Sequence, residues 1–165
     1  MLLTIFLSIV FCAAMAMMLI SAVAFIQDNK FFSSAPKEAR EVLIQRDKEL
    51  FYGARTIGWT LFIISFLMII GVGVIEIWDG LRSGFTFRQF FLRFVLIFTI
   101  YKICDMAFVD NFLLLKFHFF QYYYPEAERV MVGRKYGFNI RSQLLKLLVI
   151  FPAVSALAAW ICTLV

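Results

Sequence analysis

Lys102 and Asp105 stand three residues apart in the middle of an apolar stretch, and Asp110 follows five residues later. On a helix of about 3.6 residues per turn the first two share a face, and Asp110 projects within about 80° of Lys102. Taking each charge out of water costs several kcal/mol unless it is paired, so this face looks into the protein or toward water. Two chemistries suit the spacing. One is a self-neutralising ion pair that fixes helix rotation and the choice of neighbour. The other is a proton or ion relay in which Asp105 exchanges protons and Lys102 sets its acidity.

A second set surrounds His118, the one histidine of the chain, which lies beside Gln121, Tyr122, Glu126 and Glu128. An enzyme acting on lipid headgroups would use His118 as a base, with Glu126 or Glu128 orienting it or holding a metal. No H-E-x-x-H or repeated His/Asp pattern accompanies it, and a histidine among aromatics reads first as an interfacial anchor. Arg134 and Lys135, between Gly133 and Gly137, suit a phosphate or an acidic lipid head. They serve equally as the positive charge that orients a membrane protein.

Cys12, Cys104 and Cys162 are far apart and form no C-x-x-C pair, so neither a zinc site nor a thioredoxin-like dithiol is expected. They read as small apolar residues. No phosphate-binding loop, dinucleotide fingerprint or nucleophile elbow is present. No metal and no cofactor is expected.

The elements that must carry these residues are set by composition. Of 165 residues, 63% are hydrophobic and 16% charged, against about 45–50% and about 25% in ordinary soluble domains. Water leaves a soluble chain of this size too much surface to hide so many apolar residues, whereas a bilayer removes the conflict. The expected fold is therefore all-α: an integral membrane four-helix bundle in one domain spanning residues 1–165. The 21 phenylalanines add lipid-facing bulk. The formal charge of +5 lies between apolar runs, which points to the anionic cytoplasmic leaflet as partner and not to nucleic acid.

The spans are expected near residues 2–26, 56–78, 89–110 and 144–165. The first has no charge and exceeds the apolar core of a signal peptide. Trp59 and Trp78 bracket the second, where indoles prefer the membrane interface, and Glu76 falls near that interface. Ala54 and Gly58, and later Ser155 and Ala159, offer small faces for close helix contact. The third span follows a turn over 79–88 and runs on in apolar residues to about Phe120, roughly 48 Å as a helix. It must tilt and protrude, or break near Asp110. Pro152 is set to kink the fourth span unless neighbours satisfy the freed carbonyl, and Asn139 is placed to cap that helix.

Residues 27–55 are expected to contain an amphipathic cytoplasmic connector helix, capped by Ser34 with Pro36 in its first turn and Gly53 as a stop. Lys and Arg number six between spans one and two, five between three and four, and two or three between two and three. That bias puts both termini on the non-cytoplasmic side. Four spans is also the size of membrane thiol oxidoreductases and small multidrug transporters. The scattered cysteines argue against the first, and the absence of an acidic residue from the first span argues against the second. The reading that fits best is a small polytopic membrane protein acting by association, as a homo-oligomer or as a subunit of a membrane complex. The alternative is a small transporter or channel working through Lys102, Asp105 and Asp110, and behind it a lipid-modifying enzyme at His118.

Overall fold

The computed structural model describes residues 2–32, 41–46, 48–131 and 140–164; at 32, 109–111, 114–115, 130–131 and 140–142 only the backbone is described. Every regular element among them is helical. Helix α1 covers Leu2–Ile20 and continues as a π-helical turn over Ser21–Ile26. Helix α2 covers Ala54–Arg82. Helix α3 covers Phe87–Cys104 and continues in π-helical form over Asp105–Lys116. Helix α4 covers Phe151–Leu164 and is fed by a helical turn, Ile140–Leu145, and a π-helical turn, Lys146–Ile150. Three of the helical stretches are long and apolar enough to cross a membrane: Leu2–Ile26, Ala54–Arg82 and Gln143–Leu164. The α3 stretch, interrupted by charges, is not among them.

The extensive contacts place α2 along α1, α1 along α3 and α3 along α4. Small residues make these approaches possible. On α2 the buried positions include Ala54, Gly58, Ser65, Val72, Glu76 and Gly80, spaced as one helix face. A Cβ at Gly58 would sit 2.7 Å from that of Phe25, and one at Gly80 would sit 2.2 Å from the ring of Phe90. On α4 the buried positions are Ser155, Ala159 and Cys162, and Ala159 and Cys162 pack with Phe90 and Phe94 of α3. The opposite faces are lined with large apolar residues, including Leu67, Ile70, Val74 and Trp78 on α2 and Leu157, Trp160 and Ile161 on α4.

The connections depart from expectation. Helix α2 runs on to Arg82, so the turn before α3 contracts to residues 83–86. The backbone N–H of Thr86 donates to Gln89 Oε1 at 2.8 Å and closes the start of α3 in a T-x-x-Q box. The third helix does not break near Asp110. Its hydrogen bonding widens from Asp105 onward, and it stops at His118, which takes φ 49°. Pro152 is accommodated by the π-helical turn directly ahead of it, which relieves the ring against the preceding carbonyls.

Much of the expected amphipathic connector helix, 34–40, lies outside the described residues, and among those described it does not extend past Val42. Only Glu41 and Val42 are helical; 43–46 are not, and Gly53 at φ 85° starts α2 instead of ending a connector. The reason is tertiary. Leu43 is drawn into an apolar cluster with Val23, Phe120, Tyr124 and Ala127, and the amide of Ile44 donates to Glu126 instead of to a helical carbonyl. Packing outweighs a helical tendency worth only tenths of a kcal/mol per residue. Ser34, Pro36 and Asn139 lie outside the described residues.

Candidate functional site

Three polar clusters are built into this array. The first lies between α1, α2 and α3, at the end where α2 turns into α3. Glu76 is wholly buried, at 0% exposure. Its Oε1 accepts from the Thr4 hydroxyl at 3.2 Å and stands 3.3 Å from Arg93 Nη1. Arg93 also reaches Asp79 Oδ2 at 2.6 Å, and its guanidinium lies 4.3 Å from the centre of the Phe85 ring. Ser8, buried one turn on, donates to the carbonyl of Thr4 at 2.7 Å. Glu76 Oε2 is buried with no hydrogen-bond partner.

Glu76 thus faces the neighbouring helices. The helix continues past it to Arg82, and Gly80 lets Phe90 close over that end, so the carboxylate is sealed between helices. Arg93, from the next helix, is its counter-ion. Glu76 and Asp79 at i, i+3 with an arginine beyond the next turn is a usable pattern. The sequence does not reveal that the turn folds the arginine back onto both.

The second cluster is at mid-length of α3. Lys102, 3% exposed, donates to Asp105 Oδ2 at 2.5 Å, and its ammonium lies 5.9 Å from the Tyr101 ring centre. Phe11 of α1 sits edge-on to Tyr101 at 5.2 Å, and Phe98 stacks on Phe151 of α4 at 5.2 Å. Aromatic contacts to both neighbouring helices thus flank the Lys102 level of α3, while the Asp105 side chain stays 19% exposed. Cys12 and Cys104, 92 positions apart in the chain, are brought near each other here across α1 and α3. Asp110 lies on the π-helical continuation, and its side chain is outside the described residues.

The third cluster is at the other end of α2. Arg46 pairs with Glu126 Oε2 at 2.8 Å, and the amide of Ile44 donates to Glu126 Oε1 at 3.1 Å. Arg46 also covers the Tyr124 ring at 5.7 Å, and Arg55 donates to the Arg46 carbonyl. Asn29 completes the clasp by donating to the Leu43 carbonyl at 3.1 Å. Both oxygens of Glu126 are thereby committed to holding the 41–46 segment against 119–127. Burial pushes the Tyr124 phenol well above its ordinary value. His118 is exposed at a left-handed corner, where its carbonyl accepts from Tyr122. Arg134 and Lys135 lie outside the described residues. Among the described residues no group of three metal-ligating side chains is assembled.

Comparison with family models, with curated proteins and with solved structures finds no match.

Proposed function

We propose that the chain is a four-span integral membrane protein that acts by association with other membrane helices, in its own copies or as a subunit of a larger complex. The observation that carries this is an open notch on α2. A Cβ at Gly71 or Gly73 would meet nothing within 4 Å, and Leu67, Val74 and Ile75 stand exposed around Gly71. A bare backbone between large apolar side chains is the shape that lets a further helix approach closely in lipid. The charge on α3 supports the same reading, because Lys102 is spent on Asp105 within one helix. In this reading α3 is the fourth span, and its charges face α1 and α4 instead of lipid. The surplus of Lys and Arg in the long connections supports an orientation with both termini outside the cytoplasm.

The test is purification in mild detergent, with measurement of oligomeric state and identification of co-purifying proteins. Gly71→Leu fills the notch, and it is expected to release the partner or shift the protein to monomer while leaving its helix content unchanged. Recovery of a lone monomer that drives proton-coupled flux in liposomes, lost in Asp105→Asn, would sink the proposal in favour of transport. Reporter fusions with a cytoplasmic C-terminus would overturn the orientation.

A further inference from the structure

The Glu76 cluster contains more negative than positive charge. Two carboxylates, Glu76 and Asp79, face one guanidinium, Arg93. Among the described residues of α1, the Thr4 hydroxyl is the group that reaches Glu76. The arginine is not shared equally: it lies 2.6 Å from Asp79 and 3.3 Å from Glu76. The better-served carboxylate is also the one with access to water, since the Asp79 side chain is 30% exposed and that of Glu76 is 0% exposed. A sealed, under-neutralised carboxylate with an unpartnered oxygen is an expensive arrangement for an anion and an inexpensive one for a neutral acid.

We propose that Glu76 is a proton-binding site: its carboxyl takes up one proton on Oε2, while Oε1 keeps the Thr4 hydroxyl and Arg93. Uptake converts the cluster from two anions and one cation to a neutral acid beside an Asp79–Arg93 pair. Release returns the proton to water on the side of Asp79 and pulls Arg93 toward two anions at once. The ligand is a hydron, and no other species is required. The site is independent of the association reading, because its readout is the state of one carboxyl and not oligomer size.

Infrared spectroscopy of the full chain in detergent or lipid tests it. The expected result is a carboxylic-acid carbonyl band at neutral pH that fades as pH rises and is missing at every such pH in Glu76→Gln. Asp79→Asn leaves Arg93 to Glu76 alone, and it should move the midpoint of the band to lower pH by about tenfold or more in proton affinity. Identical spectra of wild type and Glu76→Gln would overturn the proposal. A band that survives Glu76→Gln and vanishes in Asp79→Asn would assign the proton to Asp79 and overturn it too. An unmoved midpoint in Asp79→Asn would remove the shared guanidinium as the cause and overturn the proposal as well. Glu76→Gln copies the protonated carboxyl in shape and charge, so its failure to fold would also count against the proposal.

Discussion

An arginine is set between a carboxylate and an aromatic ring at each end of α2, and the two settings differ in what surrounds them. At one end Arg93 serves both Glu76 and Asp79 beneath Phe85, with its side chain 11% exposed and Glu76 fully buried. At the other end Arg46 serves Glu126 alone beside Tyr124, with its side chain 32% exposed. Arg93 joins long helices through side chains, whereas Glu126 and Arg46 also bind backbone groups and so tie a non-helical segment down. The same residue types thus make a buried charge centre in one place and a solvent-facing clasp in the other. The helices differ in parallel. The regions near Glu76 are regular α-helix, whereas the π-helical turns of α1 and α3 lie toward the clasp, as does the one preceding α4.

The sharpest way to break this comparison is to remove the two arginines in turn. Above the pH at which Glu76 gives up its proton, Arg93→Met strands the carboxylate without its counter-ion and is expected to cost about 3–5 kcal/mol of stability. Unfolding in mixed micelles measures it, and adding Glu76→Gln should restore part of the loss. Gly80→Val drives a side chain into the buried Phe90 ring, for an expected loss of about 1–3 kcal/mol. Gly71→Ala, with open space around it, should leave the fold at least as stable. Equal losses at the two glycines would remove the claim that the Glu76 end is the tightly closed one.

Arg46→Met is expected to cost about 1 kcal/mol or less, and the loss should shrink as salt is raised. A loss as large as that of Arg93→Met would erase the distinction between centre and clasp. The smallest expected effect is alkaline. Tyr124 holds its proton above the ordinary value of 10.0, so the folded state binds that proton more tightly than the unfolded state does. Its contribution is fully present below about pH 10 and declines as pH rises above it. Tyr124→Phe should flatten that alkaline decline in a series of thermal melts, and an unchanged slope would show that this phenol is not responsible.

Parts of this arrangement are legible in the chain because they are local. Lys102 and Asp105 meet because three residues on one helix face are neighbours wherever the helix lies. Thr86 and Gln89 close the start of α3 for the same reason, and that signal is plain in the T-x-x-Q spacing. The small faces at Ala54 and Gly58 and at Ser155 and Ala159 mark where helices pack, since only small side chains allow backbones so near. The connector shows the limit of local reasoning. Its apolar period predicts a helix, but Leu43 finds a better partner in the cluster of Val23, Phe120 and Tyr124 than a helix turn provides.

What the sequence determined by itself is that the chain is helical with long apolar runs, and which contacts form within one or two turns of a helix. Only the tertiary structure decided that Glu76 is sealed against Thr4 and Arg93, that Cys12 comes near Cys104, and that Glu126 holds Arg46. The physical reason is the apolarity of the helices. In a helix facing water, an apolar stripe announces which side will be buried. Here α1 and α2 are apolar nearly all round, so the hydrophobic pattern carries almost no information about rotation. The rotation is set by a few glycines, serines and charges whose partners lie on other helices, and those partners are fixed only when the helices pack.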